Sequence, residues 1–438
     1  MKIFSTNDYE ILNNNIKDLE LKSEIEQLQK IEPTLNERLQ IIQIILDFIK
    51  KKKIIIYGGY AIHIYLDNTI YDIKYRFPDI DIYSTDAIND MIELSDIIKK
   101  KNPEKNIIFK EAFHKDTFSL FVNYINYLDI TFISKNILKS LKLIKKNNFI
   151  LIHPSLIMLD IFRQFNDPLI SYWRLNKNIT RFKLLNKKYN FLNYFDNLNI
   201  YNLSSNLYKL NKFIYNKIKQ YVNTKKSLFT GFYAYQLFTK KKFTNILYFE
   251  IISTDYINDV NFYFLSLQKD LPDLKKESYY PFFQYLNKKT IFYSNNKIIL
   301  IIYDSNNKCI PFIKYKNEYF VSYMYFIQMT FSLYLYYIYT NEDILKDKMK
   351  KMILDCLLAK NIFFDKNKDK NILDETIFQQ FIINCKGKTS YTNIEFLKNL
   401  ESKNKNLKLK RFNYIPQKDK PLKKKIKYIY ENTTGMKM

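Results

Sequence analysis

A ten-residue stretch that occurs twice constrains this fold more than any other feature. Residues 82–91, IYSTDAINDM, return as residues 251–260, IISTDYINDV, with seven of the ten positions identical. Codon bias toward Ile and Asn makes some matches cheap, but it does not put Ser-Thr-Asp in register. Upstream, Gly58, Tyr60, Ala61, Ile64 and Tyr65 align with Gly231, Tyr233, Ala234, Leu237 and Phe238. A unit repeated in the same internal order marks a duplicated domain. With 438 residues, 47% of them hydrophobic, each copy can bury a core of its own.

Local patterning fills in the architecture. Residues 1–50 read as helical, with the clearest helix opening at a Thr34/Glu37 capping box and burying a stripe of Leu35, Leu39, Ile42, Leu46 and Ile49. Residues 54–57, Ile-Ile-Ile-Tyr, are too short for a helix and suit a central strand. Gly58 and Gly59 break that strand, and residues 60–66 return to helical spacing. The segment 77–84, FPDIDIYS, alternates apolar and acidic residues as a half-buried strand does, so Asp79 and Asp81 point the same way. Two further strands are expected within 117–133, the second carrying Asp129 and Thr131 on the face opposite Leu128, Ile130 and Phe132. Residues 156–188 turn helical and basic. The expected plan is α+β: a helical N-terminal region (1–50), a catalytic domain (51–190), a second degenerate copy (191–385) and a basic, flexible tail (386–438) containing Lys423, Lys424 and Lys425.

Composition narrows the chemistry. Lys and Arg number 70 against 44 acidic residues, a formal charge of +26, which points to a polyanionic partner rather than a neutral metabolite. Cys309, Cys356 and Cys385 are odd in number and widely spaced, so neither a disulfide framework nor a CxxC metal site is expected, and a reducing compartment fits. His63, His114 and His153 lack metal-ligand spacing, which argues against zinc or a His-dependent triad. No apolar leader opens the sequence. The uncharged stretch 319–340 has the length of a membrane span, but its seven tyrosines favour a buried helix.

The chemistry therefore falls to carboxylates. Asp79 and Asp81, two apart on one strand, with Asp129 from a neighbouring strand, form the set that two-metal nucleotidyl transfer requires, with Mg²⁺ or Mn²⁺ as the ions. The Gly58-Gly59 turn lets backbone amides approach a phosphate at the start of the next helix. Lys177 and Arg181, one turn apart, and Arg163 are candidates for triphosphate contact, with a solvated basic face as the plainer reading. Tyr172 or Trp173 could stack on adenine, although aromatics at such spacing are more often core. His63 and His153 read as structural.

The order apolar strand, Gly-Gly, helix, P-D-I-D-I strand and a third Asp on a later strand resembles the nucleotidyltransferase superfamily that includes DNA polymerase beta. Within it, GGYAIHIYL, FPDIDIYSTD, YLDITF and DIFRQFNDPLISYWRLNKNITRFKLL resemble the poxvirus and giant-virus poly(A) polymerase catalytic subunits. That resemblance implies transfer of AMP from ATP to the 3′ end of mRNA, an Asp triad at Asp79, Asp81 and Asp129, and an inactive second nucleotidyltransferase-like domain. The last agrees with the residues themselves, because Tyr248 and Glu250 stand where Asp79 and Asp81 stand in the first copy. It also implies a processivity subunit or a homodimer as partner, no membrane, and a cytoplasmic setting: host cytoplasm or viral factory, with packaging in the virion as a further option. A CCA- or uridylyl-adding transferase and a non-catalytic RNA-binding scaffold are the alternatives.

Overall fold

The computed structural model describes residues 3–31, 35–68, 80–112, 116–195, 212–240, 248–305, 308–388, 412–419, 430 and 434–438. Asp79, Thr34, His114 and Lys423–Lys425 lie outside the described residues. The chain divides into two units, residues 1–132, 144–152 and 411–429 in one and the remainder in the other.

The first unit begins with two helices, α1 (Thr6–Ile31) and α2 (Leu35–Lys52), followed by β1 (Ile55–Tyr57), α3 (Gly58–Tyr65), β2 (Ile80–Ser84) and α4 (Ala87–Lys101). Then come β3 (Ile107–Glu111), β4 (Thr117–Val122) and β5 (Ile125–Phe132), with β6 (Leu143–Lys146) and β7 (Phe149–Ile152) after the short α5 (Lys135–Ser140) of the other unit. These strands and β16 (Asn413–Tyr414) form one sheet in the order β16-β3-β4-β5-β2-β1-β7-β6. Ile56, Ile80, Ile82, Leu128 and Ile130 are buried, as are Ile88, Met91 and Ile98 of α4. Each such side chain contributes about 1.5–3 kcal/mol on leaving water. The helical start of the chain is present as expected, but α2 buries Ile41, Ile44, Ile45, Phe48 and Ile49, while Leu39 stays 38% exposed. So many apolar residues surround this helix that periodicity alone does not fix which face turns inward; the set containing the bulky Phe48 does.

The second unit holds α6 (Pro154–Phe165), α7 (Pro168–Ser171), a 3-10 turn (Tyr172–Arg174), α8 (Leu175–Lys188) and α9 (Lys212–Lys225). Next are β8 (Leu228–Thr230), α10 (Gly231–Thr239), β9 (Phe249–Ser253), α11 (Tyr256–Gln268), β10 (Lys275–Tyr279), β11 (Lys289–Ser294), β12 (Lys297–Asp304), β13 (Ile310–Tyr315) and β14 (Glu318–Val321). The chain then forms α12 (Tyr323–Tyr339), α13 (Asp343–Lys366) and β15 (Cys385–Lys386). Its sheet runs β10-β11-β12-β9-β8-β14-β13-β15. Strand for strand, β3-β4-β5-β2-β1-β7-β6 of the first unit is repeated as β10-β11-β12-β9-β8-β14-β13.

The duplication extends to single atoms. Ser84 Oγ donates to Asp90 Oδ2 at 2.5 Å and accepts from the Asp86 amide at 2.9 Å. Ser253 Oγ does the same with Asp259 Oδ2 and the Asp255 amide, at 2.5 and 3.0 Å. Lys52, at the end of α2, reaches Asp90 at 3.3 Å, and Lys225, at the end of α9, reaches Asp259 at 3.3 Å. The repeated STDxIND sequence is thus a strand-to-helix clasp, kept in both copies because it builds the fold. Both long hairpins also share an irregularity, at Leu120/Phe121 and at Phe292/Tyr293, and turn through left-handed pairs at Asn123-Tyr124 and Asn295-Asn296.

The uncharged stretch ends as the buried helix α12, and no described helix is long and apolar enough to cross a membrane. Two expectations are corrected. Cys309 and Cys385 meet as a disulfide with Cα atoms 5.2 Å apart, because β15 pairs antiparallel with β13 across a sequence separation of 76. Parts of the tail are fixed rather than loose. Asn413–Tyr414 adds to the edge of β3, and the buried Tyr414 hydroxyl donates to Asp96 at 2.7 Å. In the second unit the Gly435 amide donates to the Pro281 carbonyl at 2.8 Å, and the Met438 amide to that of Ser278 at 2.9 Å.

Candidate active site

The site is built on the face of β2 and β5 that carries Asp81 and Asp129, beside the start of α3. β1 delivers the chain into α3 through Gly58, whose φ is +64°. A side chain there is excluded twice over: the left-handed backbone disfavours it, and a Cβ would lie 2.1 Å from Asp81 Oδ2 and 2.8 Å from its Cγ. The bare backbone of the turn is what gives the Asp81 carboxylate its place, and the Gly59 amide approaches Asp81 Oδ2 at 3.4 Å. On the other flank β2 runs parallel to β5, and the Cα partner of Asp81 is Asp129. Register partners on adjacent parallel strands sit roughly 4.8 Å apart with side chains on the same face. Two carboxylates therefore stand side by side, half-buried.

Their surroundings are polar. Asn126 Nδ2 donates to Asp129 Oδ1 at 3.1 Å. The Tyr57 hydroxyl lies 2.9 Å from Thr131 Oγ1, which is 3.0 Å from Thr117 Oγ1. Tyr57 stacks on Tyr83 with ring centroids 3.8 Å apart. Alternation along β2 and β5 puts Asp81, Tyr83, Asp129 and Thr131 on this face, while Ile80, Ile82, Leu128 and Ile130 enter the core behind it. A pair of hard oxygen donors crowded on one face suits a divalent cation such as Mg²⁺ or Mn²⁺, whose charge removes their mutual repulsion.

The equivalent place in the second unit is chemically inverted. Gly231 repeats the turn with φ +58°, and a Cβ on it would lie 2.2 Å from Glu250 Oε1. Glu250 pairs in register with Thr230 on β8 and with Ile301 on β12, so the position matching Asp129 is a buried isoleucine. Tyr303, two residues on, donates its hydroxyl to Glu250 Oε2 at 3.1 Å. Its register partner on β11 is Lys289, where the first copy has Thr117. Burial pushes the Glu250 carboxyl up, opposed by the Tyr303 hydrogen bond and by Lys289 and Lys348, and the same burial lowers both lysines to about 8. Two of the chain's own lysines thus supply the positive charge that faces Glu250.

Two family models cover nearly the whole chain: "Poly(A) polymerase catalytic subunit" over residues 43–171 and "APMV, Putative poly(A) polymerase, catalytic subunit, C-terminal" over residues 183–438. The chain belongs to the poly(A) polymerase catalytic subunit family. It is 27% identical to the putative poly(A) polymerase catalytic subunit of Acanthamoeba polyphaga mimivirus, over 99% of this chain and 83% of that protein. The African swine fever virus (strain Badajoz 1971 Vero-adapted) protein of the same description is 28% identical over 37% of this chain and 35% of its own. Among solved structures, the Megavirus polyadenylate synthase superposes with a TM-score of 0.85 at 26% identity, covering all of this chain and 93% of that one.

As a nucleotidyltransferase of this family, the chain brings together four of the residues singled out from sequence: Gly58, Gly59, Asp81 and Asp129. Arg163, Lys177 and Arg181 belong to the other unit. Arg163 closes α6 and pairs with Asp160, Nη2 to Oδ1 at 2.7 Å. It lines a cleft of about 490 Å³, partly open to solvent, with Asp167, Lys308 and Gln328. Burial and the Arg163 charge lower Lys308 to about 8. Lys177 is exposed and Arg181 half-buried on α8. His153 caps α6, its Nδ1 accepting from the Ser155 amide at 3.2 Å, and burial lowers the pKa of the buried His63. Sequence reading missed Asn126, Tyr57 and the Thr117–Thr131 pair. Thr131 was within reach, since it shares the Asp129 face, whereas Thr117 and Lys289 needed a strand register that no local pattern supplies.

Proposed function

We propose that this poly(A) polymerase transfers AMP from ATP to the 3′-hydroxyl of RNA, using two divalent cations held by Asp81 and Asp129 together with Asp79. The observation that carries the reading is the register pairing of Asp81 with Asp129 beside the side-chain-free Gly58. When bound, the cations make the 3′-hydroxyl a stronger nucleophile and neutralise charge on the triphosphate. The bond from the 3′-oxygen to the α-phosphorus forms as the bond to pyrophosphate breaks, and the 3′-hydroxyl proton passes to solvent.

The chain's own residues supply placement. Gly58 leaves room for the Asp81 carboxylate, Asn126 engages one oxygen of Asp129 and leaves the other for a ligand, and the Tyr57–Thr131–Thr117 hydroxyls keep the floor polar. We assign transfer to residues 51–190 and a supporting, non-catalytic role to 191–385, where Ile301, Lys289 and Lys348 surround Glu250 and the described residues hold no cation-binding carboxylate cluster.

Primer extension on a 3′-hydroxyl RNA, with each NTP separately and Mg²⁺ or Mn²⁺, tests this. Wild type is expected to build a long ladder with ATP alone, and Asp81→Asn and Asp129→Asn to build none. Extension with UTP or CTP instead would move the function to another terminal transferase.

A further inference from the structure

For Tyr172 and Trp173, since aromatics at helical spacing are more often core, burial is the plainer of the two readings. They are 67% and 59% exposed. They share the single 3-10 turn Tyr172–Arg174 between α7 and α8, their rings edge to face with centroids 5.2 Å apart. The Arg174 guanidinium lies 5.9 Å from the Trp173 ring centroid. Helix α8 follows directly with five basic residues and no acid, Lys177 and Arg181 among them, and buries only Asn178 and Leu185.

Leaving two large rings in water forgoes burial that the same residues would gain in a core, so their placement calls for something to cover them. A second exposed ring pair, Phe4 with Tyr9, flanks Asp8 beside Glu10 and has no such run of cations. Aromatic faces interleaved with Arg and Lys fit single-stranded nucleic acid, because every base offers a π-face and the cations follow its phosphates. The family models end at Ser171 and resume at Lys183, so Tyr172, Trp173, Arg174, Lys177 and Arg181 lie between them, while Lys183, Lys187 and Lys188 fall within the second.

We propose that Tyr172 and Trp173, with Arg174 and the cations of α8, form a stacking platform that binds the RNA strand rather than the incoming nucleotide. The inference rests on RNA being the acceptor and adds where the strand is gripped. The chain has one tryptophan among 38 tyrosines, so fluorescence excited beyond the tyrosine absorption band reports this place alone.

In the full chain, oligoadenylate is expected to quench Trp173 fluorescence, with an affinity that falls as salt rises, and ATP alone to leave it unchanged. Tyr172→Ala/Trp173→Ala, read by anisotropy of labelled oligoadenylate, is expected to weaken binding roughly 5- to 150-fold per stacked base. KM for RNA should rise to match, with KM for ATP and kcat at saturating RNA unchanged. Wild-type affinity in the double variant, or a quench by ATP and not by oligoadenylate, overturns the platform and leaves the RNA reading standing. Absence of any oligoadenylate binding by wild type overturns both.

Discussion

Gly58 and Gly231 occupy the same turn in the two copies and stand against different acids. Each has a left-handed backbone, and each would drive a Cβ into a carboxylate, Asp81 in one case and Glu250 in the other. Alanine at either place is expected to cost roughly 1–2 kcal/mol from the backbone alone, before the displaced carboxylate is counted. On the proposed mechanism only Gly58→Ala should also abolish transfer, because only Asp81 is assigned to the catalytic set; Gly231→Ala should keep kcat while lowering the urea midpoint. Running both variants through chemical unfolding and primer extension separates a role in folding from one in catalysis. Sequence alignment was enough to pair these glycines. It did not reveal that the shared reason is contact with an acid on the neighbouring strand, because that contact depends on β1 and β2 lying antiparallel with Tyr57 opposite Asp81.

At the scale of elements, the repeated clasp and the paired hairpins explain why the duplication was readable: Ser84, Asp90, Ser253 and Asp259 hold strand to helix in each copy, and substitution there would undo the fold locally. What could not be read is cross-strand identity. Thr117 becomes Lys289 and Asp129 becomes Ile301 only once β11 and β12 are in register. The resulting charge cluster makes a prediction of its own. Glu250→Gln removes the anion that faces both buried Lys348 and buried Lys289, with Glu342 still acting on Lys289, and is expected to destabilise the chain by roughly 3–5 kcal/mol. Adding Lys289→Met should restore much of that loss, and transfer should persist in whatever fraction stays folded. Equal destabilisation of the single and double variants in urea melts would show that the lysine does not answer the glutamate. The α2 helix illustrates a different limit. Its apolar residues cover most of its circumference, so the inward face was settled by Phe48 and not by spacing.

For the whole molecule, tyrosine is the dominant titratable core residue. Tyr248, Tyr303, Tyr323 and Tyr337 have phenols held well above the usual range by burial. A folded-state pKa raised above the unfolded value gives stability that is complete below the unfolded pKa, near 10, and is lost as pH climbs beyond it, by about 1.4 kcal/mol per group per pH unit. Lys289, Lys308 and Lys348, lowered to about 8, act in the opposite sense, so they release a penalty between pH 8 and 10.5. The urea midpoint is therefore expected to rise from pH 8 toward 10 and fall steeply above it. Phenolate absorbance should show one set of tyrosines ionising early and a second only as the chain unfolds. The abundance of tyrosine was plain in the sequence, as was the preference of residues 319–340 for burial. The exposure of Tyr172 and Trp173 and the Cys309–Cys385 bond were not, since both depend on which distant segments fold beside them.

The strand β16 carries a consequence in time. Glu111 on β3 and Phe412 beside β16 are bonded across 301 residues of sequence. At the usual pace of about 5–20 residues per second, a ribosome needs roughly 15–60 s to cover that distance. For that interval the first sheet is born with a bare margin at β3, the kind of edge that recruits strands from other nascent chains. Polysomes crowded with this message are where such mispairing would begin, and a late-arriving Tyr414 is what ends the exposure.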